Sequence, residues 1–303
     1  MTLRENLLNT TDCPICKEKE FSDLGKVDNC HPDLKNLFNL LECVICKHWF
    51  LSKMPKNNFL NELYNNNSNY VYGKDHVVNF KKELKSEIFK ESHWIFKYMK
   101  NEKKGSYLEV GPGNCKLLKT FRNHGWYCEG LELSKWIKIE GVTNDITKLS
   151  KKNKNVLVFH DVLEHVIDPL QFLKEFSNQQ NSGDKLFLAF PNSSSFKAKI
   201  LKTKWPMVEP LAHLNFFSVN STKILLEKSG YKPLIIKETS FVVLRKLIRN
   251  IIRLPITLLK DLIKLDIKAA LNRFPEIFIN ILDLINGDQL QVIGVKTKKI
   301  FKN

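Results

Sequence analysis

Tyr107-Leu-Glu-Val-Gly-Pro-Gly-Asn-Cys-Lys-Leu-Leu118 is the stretch from which the chain is best read. A short apolar run, Tyr107–Val110, reads as a strand; Gly111-Pro-Gly113 reads as a tight turn, and the residues after it open a helix. Glycine lacks Cβ, so Gly111 and Gly113 can take positive φ and let a ligand come close to the backbone. The N–H groups at the start of the following helix are open to a polar or anionic ligand group. In an open α/β sheet, a strand–glycine turn–helix unit is where nucleotide-like cofactors sit.

The residues around this turn narrow the cofactor. A dinucleotide fingerprint needs a further glycine where Lys116 stands, so the G-x-G-x-x-G pattern fails. Strand and helix signals then alternate, as in a doubly wound α/β sheet. A helix over about Cys115–His124 stops at Gly125, and a second strand, Trp126–Leu131, ends at Glu132, 21 residues after Gly111. A carboxylate at that strand end can accept both hydroxyls of a ribose. Further strands are expected at about Gly141–Ile146, Val156–His160, Lys185–Phe190 and Leu234–Glu238, with a last one over Gly287–Lys296. A helix is expected from Asn220 or Ser221 to Gly230.

Three pieces then coincide. Glu109-Val-Gly-Pro-Gly113, Glu132 and Asp161-Val-Leu-Glu-His-Val-Ile-Asp-Pro169 together resemble the class I S-adenosylmethionine (SAM) dependent methyltransferases that act on small molecules, sugars and quinone precursors. The resemblance covers roughly residues 80–240, and His213-Leu-Asn-Phe-Phe-Ser218 is similar to a later segment of the same family. It departs at Cys115, where the family often has a third small residue. The resemblance implies a seven-stranded Rossmann-like sheet whose last strand runs antiparallel beside the fifth. It implies that Glu109, Gly111, Gly113 and Glu132 bind SAM, that Asp145 faces the adenine and that Asp161 lines the methyl end. Methyl transfer is an in-line displacement at the sulfonium methyl, in which the enzyme mainly aligns donor and acceptor. A hydroxyl or acidic carbon as acceptor needs a base. His213 is the first choice; His165 is the second, with a pocket-wall role as its alternative.

Residues 1–55 carry a different chemistry. Cys13-Pro-Ile-Cys16 and Cys43-Val-Ile-Cys46 are two C-x-x-C turns, each able to aim two thiolates at one ion. Together they make the tetrahedral sulfur set that Zn²⁺ favours, with no position left open, so a structural zinc ribbon is expected. Cys30, His31 and His48 are near enough in sequence to substitute, but the four cysteines already fill the site. Residues 56–105 read as a linker and lead-in helix, the helix over about Val77–Met99. Tyr64, Tyr70 and Tyr72 either cover a cofactor pocket or pack on the core.

The domain at 106–303 is expected to carry a helical insert over about 241–286. Between 241 and 275 it has eight basic and two acidic residues on leucine-rich helical spacing. Such helices cap an active site, form a dimer face or lie on an anionic membrane as a peripheral contact. The net charge of +16 favours anionic partners such as phosphates and nucleotide-sugars, unless it is only compositional bias. Seven cysteines, the first five before residue 50, the absence of an apolar leader and the absence of a long uncharged apolar run point to a reduced, cytoplasmic protein. A nucleotide-sugar or cell-surface glycan precursor is the expected acceptor. A quinone-precursor O-methyltransferase and an RNA-modifying protein are the alternatives. The aromatic-and-basic motifs of the RNA-binding modules are missing, which argues against a nucleic-acid partner.

Overall fold

The computed structural model describes residues 3–28, 32–65, 91–133, 138–240 and 287–297. Cys30, His31, Tyr70, Tyr72, the 77–90 part of the expected lead-in helix and the 241–286 insert lie outside the described residues.

The N-terminal region builds five short strands: β1 (Leu7–Asn9), β2 (Phe21–Lys26), β3 (Asn39–Cys43), β4 (Trp49–Leu51) and β5 (Lys53–Pro55). Strands β1 and β5 pair antiparallel. Strands β2, β3 and β4 form an antiparallel meander, with Phe21 opposite Cys43 and Leu41 opposite Phe50. Helix α1 (Asn57–Asn65) follows, and the described part of the lead-in helix is α2 (Trp94–Met99).

The α/β region then runs β6 (Ser106–Val110), α3 (Lys116–Asn123), β7 (Tyr127–Leu131), β8 (Val142–Thr143), β9 (Val156–His160), α4 (Pro169–Ser177), β10 (Lys185–Pro191), α5 (Phe196–Leu201), β11 (Asn215–Phe216), α6 (Val219–Lys228), β12 (Tyr231–Thr239) and β13 (Gln289–Lys296). Seven strands form one sheet in the order β12-β13-β10-β9-β6-β7-β8. Neighbours among β10, β9, β6, β7 and β8 are parallel. Strand β13 inserts antiparallel between β10 and β12, with Lys185 opposite Val295. This is the expected doubly wound sheet with its reversed last strand.

The central strands are covered on both faces, so they read as continuous apolar runs rather than alternating ones. All five residues of β6 are buried, and Val156, Leu157, Val158 and Phe159 of β9 are fully buried. Two ends differ from the sequence reading. Helix α6 starts at Val219, because Ser218 forms a capping box with Ser221 and satisfies the first-turn amides. Strand β12 starts at Tyr231, with Pro233 tolerated at a register shift because β12 is the sheet's edge.

One strand joins the two regions. Residues of β11 pair antiparallel with β4, Asn215 opposite Phe50 and Phe216 opposite Trp49, so the N-terminal sheet has the order β11-β4-β3-β2. Phe50, Trp205, Phe216 and Phe217 belong to one continuous buried cluster that spans both regions.

Candidate functional site: a glycine turn, a two-histidine cluster and a four-cysteine knuckle

The two C-x-x-C turns close alike. Lys17 N–H donates to Cys13 O at 3.0 Å and Lys47 N–H to Cys43 O at 3.1 Å, and both lysines have positive φ, 70° and 58°. The turns face each other: Cys13 and Cys46 sulfurs are 3.4 Å apart, as are those of Cys16 and Cys43. All four ligand atoms lie within 4.8 Å of one another. Zinc–sulfur bonds of about 2.3 Å at tetrahedral angles put sulfurs roughly 3.8 Å apart, so the quartet fits one Zn²⁺. Four thiolates leave no open position, which makes the metal's contribution structural. His48 stands outside the quartet. It is fully buried, and its Nε2 lies 3.0 Å from Asn215 Oδ1.

The cofactor crevice of an open α/β sheet lies where the strand order reverses. Here that point is between β6 and β9, and the loops leaving both strands meet there. Gly111 has φ +65°, and a Cβ on it would stand 2.6 Å from Val162 Cγ2. Gly113 has φ +50°, and its N–H donates to Glu132 Oε2 at 3.3 Å. Glu132 therefore does reach the turn from the end of β7. Cys115 takes the left-handed φ of +55° as the N-terminal flank of α3, where glycine would be unstrained. Glu109 is buried in β6 and accepts the Tyr107 hydroxyl at 2.9 Å. Asp145 is half-buried and caps a short turn, accepting Thr147 N–H at 2.9 Å. It is thus occupied by a local structural contact. Two of the six expected cofactor residues, Gly111 and Gly113, form the turn, and Glu132 touches it.

Past β9 the chain turns sharply: Asp161 has φ +56°. Desolvation by the surrounding loops works to raise its carboxyl. The His160 ring, 3.0 Å away, together with His165 and His213, outweighs that and holds it below its usual range. The next residues bring Glu164 and His165 beside His213, and the ligand atoms of these three lie within 4.8 Å of one another. The two rings have centroids 4.8 Å apart. His165 Nδ1 is 2.6 Å from Ala212 O, and His213 Nδ1 is 2.7 Å from Met207 O. A carbonyl can only accept, so both rings carry a proton on Nδ1, and the Asp161 backbone bonds the His165 ring as well. Burial lowers both, His165 to about 4. Glu164 is 1 % exposed, and its Oε2 has no hydrogen-bond partner among the described residues. Burial, reinforced by Asp161, pushes its carboxyl well above the usual range. The Leu214 amide donates to Glu164 O at 2.7 Å, which ties the two loops together.

Sequence reasoning placed His165 and His213 in one site, and the fold brings them into contact. It passed over Glu164, whose signal was its place directly before His165 in the motif. It also passed over Val162 and Asn215, whose roles depend on distances no spacing shows.

The comparisons complete the picture. A family model described as a methyltransferase domain matches residues 80–235, more than half of the 303-residue chain. No curated protein matches the chain. Among solved structures, it is similar to Haemonchus contortus phosphoethanolamine N-methyltransferase 2 in complex with S-adenosyl-L-methionine, at 14 % identity and TM-score 0.49, covering 82 % of this chain and 63 % of that one. It is also similar to a SAM-dependent methyltransferase from Mesorhizobium loti, at 15 % identity and TM-score 0.43, covering 66 % of this chain and 95 % of that one. A third is a complex of the Haloferax volcanii Trm112 methyltransferase activator and a putative methyltransferase, at 9 % identity and TM-score 0.44, covering 72 % of this chain and 88 % of that one. Matched by the family model over more than half its length, the chain belongs to the methyltransferase domain family, within the class I SAM-dependent methyltransferases.

Proposed function

We propose that this methyltransferase passes the SAM methyl group to a small-molecule acceptor, a nucleotide-sugar or glycan precursor. The observation that carries the acceptor class is a cavity of about 460 Å³ between the two regions. Lys47, Lys199 and Lys223 line it with Ser193, Ser194, Trp49 and Glu42, whose carboxylate lies 3.4 Å from Lys47 Nζ and accepts the Trp49 indole N–H at 2.7 Å. Lysines and hydroxyls suit a diphosphate. The net charge of +16 supports an anionic acceptor in the same sense.

In this reading Gly111 and Gly113 receive the cofactor, with Glu132 on its ribose, Glu109 beneath the turn and Asp145 toward the adenine. Asp161 borders the methyl end. The acceptor's proton leaves at the cluster of His165 and His213, and His213 is the residue we place at that step. Its Nδ1–H is committed to a backbone carbonyl, so Nε2 is the nitrogen that can act. The four-cysteine ribbon at 1–55 stiffens the acceptor side. No helix among the described residues is long and apolar enough to cross a membrane.

Calorimetric titration with SAM, with NAD as control, tests the cofactor. Methyl transfer from radiolabelled SAM to a panel of nucleotide-sugars and of the same sugars without phosphate tests the acceptor. Equal activity on both sugar sets would refute the diphosphate reading.

A further inference from the structure

We infer that Asn215 is a positioning residue for methyl transfer: its buried amide holds the His165 and His213 loops in register and ties both to the cysteine knuckles through His48. The role in catalysis rests on the reading above, which places the acceptor at these two loops. The geometry that Asn215 imposes on the loops does not.

Asn215 is fully buried within an apolar run, Leu214-Asn-Phe-Phe217, whose other members are also fully buried. An amide in such a place destabilises the fold unless both of its ends are hydrogen-bonded. Both are: Nδ2 donates to Val166 O at 2.5 Å, and Oδ1 lies 3.0 Å from His48 Nε2. A carbonyl can only accept, so the NH₂ end must face Val166 and the oxygen must face His48. His48 is then the donor, with its proton on Nε2. Its ring is fully buried against those of Phe50 and Phe217, and its Nδ1 has no hydrogen-bond partner among the described residues.

The sequence positions of these partners give the contact its meaning. His48 comes two residues after Cys46, Val166 directly after His165, and Asn215 two residues after His213. One amide therefore joins a knuckle to the segments that bear both histidines. The backbone runs the same way. The Leu214 amide donates to Glu164 O at 2.7 Å, and the Leu51 amide donates to Leu214 O at 3.3 Å. Such backbone bonds bring the three segments together whatever the side chains are. The Asn215 amide adds the register, since Phe216 beside it has no group that could take its place. The two histidine rings, with centroids 4.8 Å apart, are held by this arrangement. A misplacement of about 1 Å in a transfer site can cost roughly 10²-fold in rate.

The test uses the full chain with zinc bound and its histidines isotopically labelled. It reads the nuclear Overhauser cross-peak between the His165 and His213 rings, assigned from His165→Gln and His213→Gln spectra. The parent should show the cross-peak. Asn215→Asp keeps the acceptor for His48 but loses the donor to Val166, and should lose the cross-peak. His48→Leu fills the space but cannot donate, and should lose it too. His48→Gln places an amide nitrogen where Nε2 stands, and should keep it. Packing alone predicts the opposite order at position 48, with leucine tolerated and glutamine not. Zinc content of about one per chain and a parent-like unfolding midpoint qualify a variant as folded. If Asn215→Asp does not fold, the two His48 variants decide. A parent without the cross-peak, a folded Asn215→Asp or His48→Leu that retains it, or a His48→Gln that loses it overturns the inference. SAM titration of the same samples separates the two readings. The expected cross-peak pattern in a chain that binds no SAM keeps the geometry and removes the methyl-transfer role, while SAM binding without that pattern does the reverse.

Discussion

Gly111→Ala is the sharpest probe of the cofactor turn, because two separate penalties can be assigned to it. Gly111 has φ +65°, and an L-residue in that region is strained by about 1–2 kcal/mol. The added Cβ would also stand 2.6 Å from Val162 Cγ2. Relieving such an overlap inside a packed site costs typically 1–3 kcal/mol, so the substitution should destabilise the chain by about 2–5 kcal/mol in all. Only the second part depends on Val162. Its Cβ is 3.9 Å from the added atom, an ordinary contact, so Val162→Ala should remove the clash and leave the strain. A double-mutant cycle read by calorimetric unfolding should therefore show the two changes compensating by about 1–3 kcal/mol. The single Gly111→Ala should lower the unfolding midpoint by roughly 5–15 °C and weaken SAM binding in parallel. Strict additivity, within about 0.5 kcal/mol, would mean that the loops after β6 and β9 do not meet as described.

Further outcomes follow from other contacts. Glu132→Ala should weaken SAM binding by about 1–3 kcal/mol in the same titration, as expected on losing a charged hydrogen-bonding partner; unchanged affinity would remove Glu132 from the ribose. Chelation under denaturing conditions should release about one zinc bound by the quartet, and Cys46→Ser should abolish that release; elemental analysis without zinc in the purified chain would sink the ribbon. The buried Glu129–Lys154 ion pair should respond to pH and to truncation. Burial works to raise the Glu129 carboxyl, but Lys154 and two hydrogen bonds from Ser150 outweigh it and hold it below its usual 4.5. A depressed folded-state value means the pair's stabilisation is full above about pH 4.5 and fades as the pH falls through the folded value. Glu129→Gln should flatten that acid limb. Lys154→Met should cost about 3–5 kcal/mol by leaving the carboxylate unpaired, and adding Glu129→Gln to it should recover part of the loss.

The fold was legible because its decisive signals are local. A strand–glycine–glycine–helix unit and apolar runs at βα spacing depend on nearest neighbours, and the sheet order follows from few alternatives. The paired C-x-x-C turns were legible for the same reason. The details that remained hidden are set by contacts distant in sequence. Asp145 lies two residues before Thr147, so its cap was open to a sequence reading, yet an acid in a loop reads equally as ligand or solvated side chain. Glu109 bonds Tyr107 two residues away on the same face of its strand; that shared face was legible, but the burial of the carboxylate was not. That β11 completes the N-terminal sheet could not be read at all, since Asn215 and Phe50 are brought together only by the folded cores. The orphaned oxygen of Glu164 likewise exists only once its neighbours are placed.

The join between β4 and β11 has a biological corollary. Asn215 is two residues from His213, faces His48 at 3.0 Å and pairs with Phe50; Ser218 and Lys228 donate to the carbonyls of Cys46 and Cys16 at 3.1 and 2.8 Å. The loop that bears His213 is therefore moulded on the zinc knuckles, whereas the glycine turn is built wholly within the other sheet. A cell short of zinc would then hold a pool of chains that still capture SAM but have no formed wall against which to seat an acceptor. Loss of metal from the quartet would thus loosen the His213 loop while leaving the glycine turn in place.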